Sequence, residues 1–189
     1  MTIKMNNFSK KLNYSSPEER YSVFNFTNGN TSFDRFDSKM ESICILPFFK
    51  NQHDKIESVI LAECSDLLNE GSVLTCITQA FDQDKYLTSH ECFKEAIYNN
   101  LGVSEIQTDD IFYLGKVSHT IPFNKKYRCY AVNLSNNYDS FKDIDQTSLK
   151  NKNQKISDLK KIKFSSIVNG HVEDSLCLSC SLLLVSYFS

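Results

Sequence analysis

Several features are missing from this sequence, and each absence removes a class of function. No apolar run is long enough to cross a bilayer. The richest, Leu176 to Val185, is too short for a span and is interrupted by Ser and Cys. Met1 to Lys11 is polar and has no apolar central region, so no secretory signal is expected and the chain reads as cytoplasmic or virion-associated, not secreted. With five glycines there is no Gly-rich phosphate loop, and there is no Ser nucleophile elbow. The four histidines, His53, His90, His119 and His171, are far apart and show no metal-ligand spacing. A net charge of −2 argues against a nucleic-acid binder and against an acidic tail.

The cysteines also lack a pattern. Seven is an odd number, with no framework spacing. Cys44, Cys64, Cys76, Cys92 and Cys129 sit in or beside apolar runs and read as small buried hydrophobes in a reducing compartment. Cys177 and Cys180 form a C-x-x-C inside a helix-like apolar run. No second pair completes a zinc site and no thioredoxin-like strand precedes it, so core packing is the better reading. The sequence therefore implies no metal ligands, no cofactor and no catalytic residues.

What is present is a chain of 189 residues with 41% hydrophobic content, enough for one domain with a substantial core plus extensions. Its organising stretch runs from Ser72 to Val103. Val73 to Ile77 reads as a strand, and Phe81 to Lys85 as a polar loop. Thr88-Ser89-His90-Glu91 has the form of a capping box, in which a hydroxyl and a carboxylate satisfy each other's backbone N–H. Cys92, Phe93, Ala96, Ile97 and Leu101 recur at helical spacing, and Gly102 stands where a left-handed C-terminal cap belongs. These features predict a helix over Ser89 to Leu101, with Lys94 and Tyr98 on its wetter side.

The loop and helix resemble the Nudix box: a Gly, five residues, a Glu, seven residues, Arg-Glu, an aliphatic, any residue, Glu-Glu, any residue, Gly and an aliphatic. With the last Gly on Gly102, Ile97 and Val103 fall on the two aliphatic positions. The residues that would carry the chemistry do not follow the pattern. Phe81 replaces the opening Gly and Leu87 the first Glu. Glu95-Ala96 stand for Arg-Glu, and Asn99-Asn100 for Glu-Glu. Nudix hydrolases cleave substituted diphosphates with magnesium held by those glutamates. Magnesium is a hard cation that needs anionic oxygens. Ala96 offers none, and Asn99 and Asn100 offer only neutral amides.

The resemblance implies an α/β fold, a Nudix-like αβα sandwich with a mixed sheet; ahead of it, a polar segment rich in Asn and Ser reads as an extended N-terminal arm. Residues 1–39 would form the polar arm and 40–189 the domain, with a polar insertion at 135–160. Ile43 to Phe49, Ser58 to Ala62, Phe112 to Val117, Lys126 to Val132 and Ile162 to Phe164 read as strands. Asn51 to Asp54 reads as a hairpin turn, and Asp174 as the cap of a buried helix over Ser175 to Tyr187. The lysines between Lys150 and Lys163 read as a solvated loop. Lys126 and Arg128 share a strand face that reads as solvated.

Two functions follow. In the first, the fold serves as a structural or interaction protein without catalysis. Its arm, through Phe8, Tyr14, Tyr21, Phe24, Phe26, Phe33 and Phe36, would join a protein partner or a second copy within a larger assembly, of which a virus particle is one example. In the second, the chain is a divergent hydrolase of nucleoside-diphosphate-linked substrates. It would draw metal ligands from outside the box positions, such as Asp82, Asp84, Glu91 and Glu95. The two differ in whether three carboxylates converge on one point.

Overall fold

The fold is seen in a computed structural model that describes residues 9–15, 21–29, 31–38, 40–66, 71–82, 84–119, 123–141, 158–172 and 174–189. Its centre is β4 (Glu41–Lys50), which is buried from Ser42 to Phe49. From Ile43 to Phe49 that run is apolar because the strand is covered on both faces. Ile43, Ile45 and Phe49 enter one core, while Cys44, Leu46 and Phe48 enter the other. This division is the two-residue alternation of a strand. β5 (Ile56–Asp66) repeats it, with Ile60 and Ala62 on one side and Val59 and Leu61 on the other.

The turn between β4 and β5 falls where the sequence places it. The Asn51 side chain accepts from the backbone N–H groups of His53 (2.9 Å) and Lys55 (3.1 Å). Asp54 takes the left-handed conformation at φ 59°, which Asp tolerates because its short polar side chain can bond locally.

The expected strand at Val73 to Ile77 is instead two strands. β6 (Gly71–Thr75) pairs with β5, and β7 (Ile77–Phe81) pairs with β4. The break at Cys76 lets one chain segment serve two neighbours. Periodicity alone could not show it, since every residue on either side suits a strand. Next come α1 (Ser89–Leu101), β8 (Ile111–His119) and β9 (Phe123–Asn133). β9 runs parallel to β4 and antiparallel to β8, so the sheet is mixed. A 3₁₀ turn at Ser135–Asn137 leads to α2 (Tyr138–Phe141), whose Phe141 is buried against Phe49 with ring centroids 6.0 Å apart.

β10 (Asp158–Lys163) begins before the strand expected at Ile162, and it pairs antiparallel with β5. Leu159 is buried and Lys160 and Lys163 are exposed, so this end of the lysine run is an edge strand rather than a loop. Lysines on an edge discourage further strand pairing. The lysines at 150, 152 and 155, and most of the polar insertion, lie outside the described residues. α3 (Phe164–Val168), which the sequence pattern did not signal, buries Phe164 and Ile167. α4 (Ser175–Phe188) is capped by Asp174, which accepts from Leu176 and Cys177 N–H. It is not buried all round. Leu176, Cys177, Cys180 and Leu184 face the sheet, while Leu182 and Val185 are exposed.

With α1 covering one face of the sheet and α3 and α4 the other, the architecture is the expected αβα sandwich. The N-terminal segment is more ordered than a single extended arm. β1 (Ser9–Ser15), β2 (Tyr21–Asn28) and β3 (Thr31–Ser38) form an antiparallel meander. It joins the main sheet through two residue pairs of β3 and β9, Phe36 with Phe123 and Asp37 with Asn124. The strand order is β1-β2-β3-β9-β4-β5-β10. Strands can pair with one another where a lone polar segment cannot bury enough surface to order itself.

Candidate functional site

α1 carries the box residues, and its geometry follows the sequence closely. The hydroxyl of Thr88 accepts from Glu91 N–H (3.2 Å), and the Glu91 carboxylate accepts from Leu87 N–H (2.9 Å) and Thr88 N–H (3.2 Å). Gly102 closes the helix at φ 70°, its N–H donating to Tyr98 C=O. A side chain there would be strained in the left-handed region. Cys92, Phe93, Ala96, Ile97 and Leu101 are buried, and Lys94 and Tyr98 are exposed. Phe93 meets Tyr130 of β9 with ring centroids 5.2 Å apart, and Ser89 shares a 2.9 Å hydrogen bond with the Tyr130 hydroxyl. These contacts hold the start of the helix on the sheet.

The positions that would need carboxylates do other things. Phe81 ends β7 buried, stacked on Tyr86. Leu87 is 92% exposed. Ala96 is fully buried in the core between α1 and the sheet. Asn99 is exposed, whereas Asn100 is buried and donates to Ala96 C=O at 2.7 Å. Glu95 forms a 2.7 Å ion pair with Lys85 of the preceding loop, and Lys85 holds its carboxyl below the usual range.

The acids of the alternative ligand set are not brought together either. Glu91 is engaged in the cap. The Asp82 side chain accepts from Asp84 N–H at 3.0 Å, making a local turn, and Asp84 is exposed. Among the described residues, no three carboxylates lie within reach of a single ion; the one group of metal-ligating side chains that does is Cys44, Cys129 and Cys180. The magnesium implied by a Nudix box therefore does not fit the residues that stand here, and no catalytic step is derived through it.

Beside α1 is an open cleft of about 450 Å³ lined by Phe81, Tyr86, Leu87, Thr88, Ser89 and Arg128. Arg128, on β9, is engaged by Glu41 of β4 at 2.5 Å, and Lys116 of β8 stands 3.5 Å from the other Glu41 oxygen. The Arg128 hydrogen bond is the main cause that lowers the Glu41 pKa. Lys126, two residues along, is exposed. Sequence reasoning paired Lys126 with Arg128 on one face but missed Glu41, because β4 and β9 are adjacent only in the fold.

Of the arm aromatics, Phe26 is buried and stacked on Phe33, with centroids 5.3 Å apart and planes 8° apart. Lys10 Nζ lies 3.6 Å from the centre of the Phe24 ring, and Tyr14 is 48% exposed. Tyr21 and Phe36 belong to β2 and β3, and Phe8 lies outside the described residues.

No family profile and no curated protein matches the sequence. Solved structures do match the fold. An ADP compounds hydrolase aligns over 99% of this chain and 97% of its own, with a TM-score of 0.60 and 11% identity. The NUDIX domain of Shewanella oneidensis NrtR, solved with ADP ribose, aligns over 80% of this chain and 90% of its own, with a TM-score of 0.58 and 11% identity. The C-terminal domain of mouse MUTYH, solved with human PCNA, aligns over 79% and 90%, with a TM-score of 0.52 and 10% identity. The chain thus has the Nudix fold. Identities this low establish the architecture, and the function has to be argued from the site.

Proposed function

We propose that this chain is a non-catalytic Nudix-fold structural or interaction protein that works as a component of a larger assembly. The observation that carries the reading is the turn of the box helix. Where metal chemistry needs outward carboxylates, Ala96 is packed into the core and Asn100 is hydrogen-bonded to its own helix. The acids that remain nearby are committed to a cap, a local turn and an ion pair. The fold tolerates this because its packing residues, Phe93, Ile97 and Leu101, are independent of the catalytic ones.

A domain of similar architecture bound to a protein partner has a precedent in the C-terminal domain of mouse MUTYH solved with human PCNA. In this chain the surface offered to a partner is the N-terminal meander. A virus particle is one setting in which such extensions link neighbours. The test is direct: purified protein is incubated with ADP-ribose and other nucleoside diphosphate derivatives in magnesium or manganese, and its native mass is measured in parallel. The reading expects no turnover above a no-protein control and a mass above that of one chain. Metal-dependent turnover that disappears in Glu95→Gln would instead establish the divergent hydrolase.

A further inference from the structure

The sheet face under α4 gathers five of the seven cysteines into one core. Cys44 and Cys129 are direct partners on the parallel strands β4 and β9, so they leave the sheet side by side on one face. Cys180 meets them from α4, its Sγ 3.4 Å from that of Cys44. All three Sγ atoms lie within 4.8 Å of one another. Cys76, at the break between β6 and β7, makes thiol contacts with Cys44, Cys177 and Cys180. All five are buried, and none is in a disulfide.

Simple core packing explains why a cysteine is inside, since it behaves as a small hydrophobe. It does not explain why three separate elements, β4, β9 and α4, bring a sulfur to one point. A zinc–thiolate centre does. Its Zn–S bonds of about 2.3 Å place neighbouring sulfurs about 3.8 Å apart. The 3.4 Å between Cys44 and Cys180, and the 4.8 Å within which all three sulfurs fall, are compatible with that figure. Ser181, next to Cys180 on the buried side of α4, is buried with its hydroxyl unpaired. A hydroxyl of this kind can donate to a thiolate, which is how outer groups tune metal–thiolate centres.

We propose that Cys44, Cys129 and Cys180 form the core of a buried structural zinc site, completed when Cys76, whose thiol touches Cys44 and Cys180 from outside the three-sulfur group, turns in as the fourth ligand. Each ligand loses its proton as it binds, so four thiols and one Zn²⁺ give a tetrathiolate centre and four released protons. Binding then competes with protons and weakens toward acid pH. Because the ligands are buried in the folded chain, the metal enters during folding. It would tie α4 to β4, β9 and the β6–β7 break, a cross-link between elements distant in sequence. The site is separate from the α1 side and does not depend on the interaction reading.

The test uses the full chain, produced with zinc in the medium and also refolded from denaturant in zinc or cobalt. Elemental analysis should give about one zinc per chain, falling to under about a tenth in Cys180→Ala, while Cys92→Ala, a buried thiol on the other face, keeps it. Cobalt should give thiolate charge-transfer bands with tetrahedral d–d bands. If Cys180→Ala fails to fold, the native mass and cobalt spectrum of the unaltered chain decide. Folded protein that contains no zinc after both routes overturns the site. So does a Cys44–Cys180 disulfide found in the non-reduced protein.

Discussion

The side-chain amide of Asn100 donates to the carbonyl of Ala96 at 2.7 Å, one turn back along α1, and both residues are buried. Two box positions are thereby joined to each other rather than to a ligand. Replacing Asn100 with Ala removes the bond and should cost about 1 kcal/mol in chemical denaturation. Asn100→Asp should cost more, because a carboxylate would face the Ala96 carbonyl while buried. That buried acid would have a raised folded pKa. Its penalty should therefore grow as pH rises through the ordinary carboxylate range and fade at acid pH.

Magnesium should not stabilise the chain. A site occupied at a hundredfold excess over its dissociation constant would add about 2.7 kcal/mol, because only the native state binds. Thermal melts with and without millimolar magnesium should coincide. A rise of several degrees would mean that acids such as Glu95 or Asp82 rearrange to bind it.

How much of this was readable in advance follows from which interactions are local. The helix of the box was legible to its caps, because each cap is local: Thr88 bonds with Glu91, and Gly102 with Tyr98 one turn back. The double burial of β4 was legible as an unbroken apolar run. What depended on pairing was not. The break at Cys76, the meander of β1 to β3 and the edge strand at Lys160 each arise from which strand lies alongside. Glu41 meets Arg128 across 87 positions. The sulfur cluster was hidden in the same way: its cysteines come from β4, β9, α4 and the β6–β7 break, so their spacing in sequence carries no ligand pattern.

The Glu41–Arg128 pair predicts a specific pH dependence. Arg128 lowers the Glu41 pKa below its ordinary 4.5, with Lys116 adding to the effect. A carboxylate with a depressed folded pKa contributes stability that is fully present above the unfolded value. That contribution is lost as pH falls through the folded value. Arg128→Gln should therefore melt below the unaltered protein at neutral pH, with the difference closing as pH falls below the ordinary carboxylate range. A gap of constant size across that range would mean that Arg128 acts through packing alone, including its place 5.2 Å from the Phe81 ring.

The meander should be separable from the domain and necessary for assembly. Among the described residues, its pairing with the main sheet is two β3–β9 residue pairs, so few backbone bonds are lost when it is removed. Among the described residues, the two cores that flank β4 draw on positions from 43 onward. The meander has its own small stack, Phe26 on Phe33, which is too little to fold alone, since two or three strands need a further apolar surface. At the same time Leu12 is 52% exposed and Tyr14 48% exposed on β1, and no described residue pairs with the outer edge of that strand. An exposed edge with apolar side chains is a template for a strand of another chain. Deleting residues 1–39 should therefore leave a soluble chain with a cooperative melt and a lower native mass than the full protein. Substituting Leu12 and Tyr14 with lysine should produce the same loss of mass while leaving the meander in place. A truncated chain that unfolds while remaining monomeric would assign the meander to the stability of the fold, and the interaction reading would lose its principal support.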